Sequence, residues 1–451
     1  MKKTCTIIGG GISGLSLAAF ANEHFDIKLL EACDKTGGLI QNSSLDGKIR
    51  DHAANGWLSN EPAFDELIDL LNVKDLLITA NQEKGKTTRW VIKNNKLYAL
   101  SPKMLFSGLL PFSSKLRVLG EPFISAQDPQ VEESLSEFGT RRFGSGVIPE
   151  LFAPFAAGIF ACRPEELSVP AAFPRLWKME QQYGSLIKAG LQAPKPEKKT
   201  ILTTLKGGTS QICEIITEHL ADKILLNTPA LSVKRHKDLW VVSTENQEIL
   251  SDYLAITCPA SIQGKLLHNS FPKISNLVSK ISYSSVVVVL AEFPADAFPN
   301  PPVGFGALMN QEGQKSGILG TLFTSCIFPS HQKDGSIATR TILGGSILPD
   351  MIQKDHQRLQ ALVLNHHEKL FGRLQAEPSY LEVVKHSQAI PRYEKGHFDI
   401  QNEITQFHRQ NPTIRLSGNS LFGVAVKDCV RQSKASVQDF LEASQATPQN
   451  I

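Results

Sequence analysis

An α/β fold is predicted for this 451-residue chain by three stretches, each of which reads as strand, glycine turn and helix. They lie at residues 4–31, 205–260 and 414–434, far apart in the sequence. Strands alternating with helices point to a parallel sheet covered on both faces.

The first stretch, "TCTIIGGGISGLSLAAFANEHFDIKLLE", carries the strongest signal. "CTIIG" is a short β-branched run suited to a buried strand. Gly9, Gly11 and Gly14 then form G-x-G-x-x-G, "LSLAAFANEHF" has helical character, and "DIKLLE" reads as a second strand ending in Glu31. The order of strand, glycine turn, helix, strand and acid is the fingerprint of a Rossmann-like dinucleotide site. Gly9 permits the tight turn, Gly11 lets the backbone approach a pyrophosphate, and Gly14 lets helix and strand pack closely. The helix start, with Ile12 and Ser13, offers free N–H groups and a positive partial charge to phosphates. Glu31 can accept hydrogen bonds from a ribose and would repel a 2′-phosphate. The same glycines exclude an export signal or membrane anchor, because they break the apolar run below the roughly 20 residues that span a bilayer.

In the second stretch, Ile212, Ile215, Ile216 and Leu220 give a helix one apolar face after the Gly207–Gly208 turn. "KILLN", "ALSVKRH" and "LWVVST" follow as strands, the last two a hairpin, and "DYLAITCP" as a buried strand. The third, "IRLSGNSLFGVAVKDCVRQSK", places Gly418 and Gly423 between a strand and a helix starting near Val424. Between these stretches, "TTRWVIKNNKLYAL" (87–100) reads as a hairpin turning at Asn94–Asn95. "APKPEKK" (193–199) and "FPADAFPNPP" (293–302) read as linkers, and "QATPQNI" as a frayed tail.

Hydrophobic content of 41% and charged content of 20% describe a folded protein, and a net charge of +3 gives no reason to expect a nucleic-acid partner. Seven scattered cysteines without a C-x-x-C suggest a reducing, cytoplasmic setting and no metal site. His366 and His367 are adjacent on an amphipathic helix, so they diverge and make poor joint ligands. A solvated face with one half-buried imidazole is expected there.

With these motifs in hand, the chain resembles flavoproteins of the amine-oxidase fold. "EACDKTGGLI" (31–40) is similar to their E-A-x-x-R-x-G-G signature, with Lys35 in place of Arg, and 414–434 to their C-terminal flavin motif. Within that group, 138–180, "GFGALM" (304–309), "CIFPSHQKDG" (326–335), "LGGS" (343–346) and "AIPRYEKGH" (389–397) resemble the oxygen-dependent protoporphyrinogen IX and coproporphyrinogen III oxidases. Cys162 and Arg163 replace the family's Gly-Asp, and "DHAANGW" (51–57) keeps little beyond Asn55 of E-x-G-P-N-x-F.

The resemblance implies non-covalent FAD held by Gly9, Gly11, Ile12, Ser13, Gly14, Glu31, Ala32, Lys35, Gly37, Gly38, Ala230, Gly418, Gly423 and Val424, with Ala230 standing where the family has Val. It implies FAD-binding pieces at 1–85, 201–262 and 386–451. A substrate hairpin and helical membrane-associating subdomain would occupy 86–200, and a mixed-sheet substrate domain 263–385. The implied reaction is a six-electron oxidation of protoporphyrinogen IX in haem biosynthesis. Hydride passes to flavin, a pyrrole N–H proton is lost, and dioxygen becomes hydrogen peroxide. Arg89 is implied to bind a propionate, and Asn55 to hydrogen-bond near the flavin or a pyrrole N–H. The apolar segments 104–112 and 151–161 would rest on a membrane as a peripheral contact. Handover of product to ferrochelatase and a homodimer are further implied partners. Three other readings stand beside this one: a coproporphyrinogen III oxidase, another enzyme of the same fold, and a non-catalytic binding protein.

Overall fold

The structure is a computed structural model that describes residues 2–83, 85–194, 199–332 and 334–446. A five-stranded sheet forms its first unit. Its strands run in the order Ile224–Leu225, Asp26–Leu30, Thr4–Ile8, Tyr253–Ile256 and Ile414–Leu416. All four pairings are parallel. Strands from three distant parts of the chain therefore share one sheet.

Side-chain alternation sends Cys5 and Ile7 to one face and Ile8 to the other. The first face packs against helices Ile12–Ala21 and Val426–Ala446. All ten residues of the shorter helix are buried, as expected of a helix that is apolar all round. The second face packs against a three-stranded antiparallel sheet (Ser232–His236, Leu239–Ser243, Glu248–Ser251) and helices Ala260–Leu267 and His397–Gln410.

A seven-stranded mixed sheet forms the second unit. Its order is Tyr380–Pro391, Tyr283–Phe293, Ile337–Gly344, Ile318–Leu322, Gly306–Met309, Arg89–Lys93 and Lys96–Ala99. The expected hairpin at its edge turns at Asn94 (φ 51°) and Asn95 (φ 57°), left-handed positions that asparagine tolerates. Val287, Val289 and Ala291 face helix His356–Phe371, while Val286, Val288 and Leu290 face Ala157 and Ala161.

That helix corrects the expectation for the histidines. Both His366 (7% exposed) and His367 (0%) are buried, not one solvated. The apolar stripe is wide enough to take adjacent positions, and His367 packs edge-on to Phe293 and Phe298.

Helices between residues 112 and 192 form the third unit. Arg142 is fully buried and bridges Glu121 and Glu180, which are themselves buried. The segment around 104–112 is exposed at Phe106 and Phe112, whereas 151–161 is largely core, with Ala153, Ala156, Ala157 and Phe160 buried. Of the expected linkers, 195–198 lies outside the described residues, as does the tail from 447.

Candidate functional site

The turn between the first strand and first helix is built as its glycines require. Gly9 takes a φ of 109°, and its N–H reaches Leu30 O at 2.8 Å. A Cβ on Gly14 would stand 1.9 Å from Gly9 O, so only glycine lets helix and strand approach this closely. Gly11 differs. Its backbone is extended (φ −74°, ψ 179°), which any residue adopts, and a Cβ there would meet no atom within 4 Å. The protein itself gives no reason for a glycine at position 11.

Glu31 is fixed by two backbone donors. Its Oε2 accepts from Gly10 N at 2.6 Å and its Oε1 from Cys33 N at 2.9 Å. Gly37 N donates to Gly10 O at 2.8 Å, folding the Ala32–Gly38 segment over the turn. Ala32, Lys35 and Gly38 are exposed around it. Thr228 N bonds Glu31 O and Asn227 N bonds Cys33 O, which brings half-buried Ala230 to this end of the site.

The C-terminal piece joins on the other side. Ser417 N donates to Ile256 O, and Gly418 (φ 121°) sits with its Cβ direction 3.3 Å from Thr257 O. Thr257 Oγ1 in turn donates to Gly9 O at 3.0 Å. Gly423 (φ 132°) turns the chain into the last helix, past Val424. The residues expected to hold a dinucleotide are thus brought together from three parts of the chain.

This cradle fits the group. The first helix has no side chain capping its N-terminus and no acid in its first turn, so its N–H groups and positive end remain for phosphates. Ser417 Oγ is buried and unpartnered beside Gly418. Cys258 lies against Gly9, but burial pushes its thiol up to about 12, so it stays protonated and is no nucleophile.

Asn55 and Arg89 lie outside this cradle, at the seven-stranded sheet. Glu382, Leu290, Arg340, Leu322, Gly306 and Arg89 are register partners across its strands and so share one face. That face grips the 43–53 segment of the chain. Glu382 accepts from Ser43 Oγ at 2.8 Å, and Arg340 Nη1 donates to the backbone oxygens of Asp51 and Ala53. At roughly 4.8 Å per strand, Arg89 stands about 14 Å along the row from Arg340. Its guanidinium is exposed over the Phe305 ring at 4.9 Å, and no carboxylate pairs with it among the described residues.

Asn55 follows the loop that Arg340 holds. It lines a small cavity with Arg50, Asp51, Leu290 and Thr339, and its buried Oδ1 has no partner. Asp51 beside it accepts from Thr209 N at 3.0 Å. Burial raises its carboxyl to about 6, against the opposing pull of Thr209 N–H and Arg340. Burial likewise lowers Arg340 to about 10.

Sequence reasoning missed Arg340 and Asp51 as members of this assembly. The signal was a lone cation in "IATRTILGG", an otherwise uncharged strand. The Cys162–Arg163 departure is accommodated by Ala161, which takes a left-handed φ of 50° and whose oxygen accepts from Ser346 N. Cys162 is buried, and Arg163 turns outward to Ile347 O at 3.1 Å.

Comparison with known proteins places this geometry. The family model described as flavin containing amine oxidoreductase matches residues 12–441. Protoporphyrinogen oxidase 1, chloroplastic, of Arabidopsis thaliana is 28% identical over 467 residues, covering 94% of this chain and 86% of that protein. Coproporphyrinogen III oxidase of Bacillus subtilis (strain 168) is 26% identical over 471 residues, covering 98% of each. Among solved structures, one from Exiguobacterium sp. 255-15, provisionally assigned as a protoporphyrinogen oxidase, superposes with a TM-score of 0.82 at 24% identity, covering 98% of this chain and 99% of that one. Cyclohexylamine oxidase from Brevibacterium oxydans IH-35A superposes with a TM-score of 0.75 at 16% identity, covering 99% and 100%.

Proposed function

The chain belongs to the flavin containing amine oxidoreductase family and is an FAD-dependent oxidoreductase, and we propose that its substrate is a porphyrinogen, protoporphyrinogen IX in the first instance. FAD supplies the redox chemistry, taking hydride from the substrate and passing electrons to dioxygen. The protein's part is position and electrostatics. In this reading the Gly9–Gly14 turn holds the pyrophosphate, Glu31 the ribose, the Ala32–Gly38 segment and Ala230 the outer end of the dinucleotide, and Gly418, Gly423 and Val424 the flavin end.

The observation that carries the substrate reading is the row ending in Arg89. It sets an unpaired guanidinium on the sheet face that grips the nucleotide unit, one tetrapyrrole's breadth from the anchored loop. A porphyrinogen propionate would meet its fork there. Asn55, with an unpartnered Oδ1 on that loop, is suited to accept from a pyrrole N–H. Coproporphyrinogen III remains the second reading, because the Bacillus subtilis relative that acts on it matches over 98% of both chains. The test is a substrate panel: porphyrin fluorescence from each porphyrinogen, and oxygen uptake with an alkylamine. Amine turnover without porphyrin formation would refute the reading.

We further propose that the helical unit contacts a membrane surface. Phe106 (91% exposed), Phe123 (90%), Phe112, Leu116 and Leu119 cluster in 106–123 with Lys115 and Arg117. Among the described residues no helix is long and apolar enough to cross a bilayer, so the contact would be peripheral, in a cytoplasmic setting. Handover of the sparingly soluble product to ferrochelatase would fit such a site, and a homodimer is compatible with it. Flotation with anionic vesicles tests the contact. Phe106→Ser with Phe123→Ser should abolish co-flotation, and its persistence would refute it.

A further inference from the structure

Three glycine-containing segments meet in the dinucleotide cradle, and the first two are tied to each other where Gly37 N donates to Gly10 O. The third, 417–425, lies between the Ile414–Leu416 strand and the last helix, with Gly418 and Gly423 both at positive φ. Glycine adopts such angles freely but loses more conformational freedom than other residues when held in one of them. Something outside the loop must therefore set its path.

The brace comes from residues 393–401. Tyr393 is 1% exposed, and its phenol oxygen meets the loop twice, accepting from Gly423 N at 2.8 Å and donating to Asn419 O at 2.7 Å. Its ring is stacked on His397 at 4.0 Å with an interplanar angle of 11°. From the same helix, Gln401 Nε2 donates to Leu421 O at 2.6 Å. The brace is itself tied down from the helical unit. Ser168 N donates to Tyr393 O at 2.8 Å, Gly396 N to Glu132 Oε2 at 2.7 Å, and Lys395 pairs with Glu137 at 3.0 Å.

We infer that Tyr393 is a positioning residue for the flavin: through its hydroxyl it holds the 417–425 loop in its binding shape, from a base anchored on the helical unit. The inference rests on the flavin reading of the cradle. Tyr393 acts through the loop that its hydroxyl holds, so its effect is on cofactor affinity. Burial keeps the phenol protonated, which preserves the donor that Asn419 O needs.

Tyr393→Phe tests this while keeping the ring and its stacking. Two hydrogen bonds of ordinary strength are lost, so the apoprotein's dissociation constant for FAD should rise roughly ten- to hundredfold, read by quenching of flavin fluorescence. The melting temperature of the apoprotein should fall by no more than the few degrees that two lost hydrogen bonds account for, while the rise on adding FAD shrinks. A purely structural tyrosine would lower apoprotein melting and leave FAD affinity unchanged, and that result would overturn the inference. Gln401→Met, on a half-buried helical position, is the milder partner variant. It should weaken FAD binding by about three- to tenfold, and wild-type affinity in both variants would also overturn the inference. Wild-type apoprotein that binds no FAD would remove the flavin reading and this inference with it. Wild-type binding with an unaltered Tyr393→Phe would remove this inference alone.

Discussion

Gly11 and Gly14 sit three residues apart in one motif, yet the structure gives them opposite jobs, and Gly11→Val against Gly14→Ala separates them. At position 11 the backbone is extended and an added Cβ meets nothing within 4 Å. A valine is tolerated by the empty protein. Its poorer helix cap is offset by lower entropy in the unfolded chain, leaving apoprotein stability within about 1 kcal/mol of wild type. The branched side chain then occupies the space over the helix N-terminus that a pyrophosphate needs. Overpacking of a close contact costs about 1–3 kcal/mol, roughly five- to hundredfold or more in FAD affinity. At position 14 a single methyl would stand 1.9 Å from Gly9 O and 2.8 Å from Thr257 Oγ1. Helix and strand must separate, so Gly14→Ala should lose about 3 kcal/mol or more of stability even without cofactor. The assay is thermal melting of both apoproteins followed by FAD titration. Wild-type affinity in Gly11→Val, or a wild-type melting temperature in Gly14→Ala apoprotein, would refute the reasoning.

Other outcomes follow from the same geometry. Arg89→Ala should lower kcat/KM by roughly one to two decades, mostly through KM, as expected for loss of a charge-assisted contact; Arg89→Lys should recover only part, the flavin spectrum should not change, and an unaltered kcat/KM would move the anion site elsewhere. Arg340→Met should destabilise the protein by about 3 kcal/mol by leaving Asp51 uncompensated and freeing the 51–53 backbone; Asp51→Asn should restore part of the loss, and a melting temperature unaffected by Arg340→Met would contradict the account. Burial lowers His366 and His397 to about 4 and His367 and His408 to about 3, so the folded protein keeps them neutral while the unfolded chain takes up protons below about 6.5. Their stabilisation is present above pH 6.5 and lost as pH falls towards 4, at up to about 1.4 kcal/mol per group per pH unit, with Asp51, whose carboxyl is raised, opposing it; melting temperatures that stay flat from pH 7 to 4.5 would contradict this. Acid precipitation should release all the flavin, and colour left on the pellet would show a covalent link.

Local chemistry was legible from sequence, and distant partnership was not. The glycine turn declared itself because its strand, helix and acid fall within residues 4–31. The Asn94–Asn95 hairpin did so because turn type follows from two adjacent residues. Arg340 did not, because its carbonyl partner on Ala53 is 287 residues away. The stretch holding Tyr393 stood out in the sequence, but its hydroxyl role depends on Gly423, 30 residues on and turned by a loop. His366 and His367 went astray for another reason. Helical periodicity says which positions share a face but not how wide a face the neighbouring structure will cover, and here both rings are buried, His367 against Phe293 and Phe298. The apolar segment 151–161 shows the same limit, since composition does not distinguish a core helix from an exposed one.

The central claim, that a porphyrinogen delivers its electrons to the flavin held in this cradle, is tested most directly by anaerobic mixing of the purified holoprotein with protoporphyrinogen IX in a stopped-flow spectrometer. The account predicts that the visible flavin absorbance bleaches, that one porphyrin is formed for every three flavins reduced, and that admitting air restores the yellow colour with release of hydrogen peroxide. A flavin that stays oxidised in the presence of both protoporphyrinogen IX and coproporphyrinogen III, while dithionite still reduces it, would contradict the account.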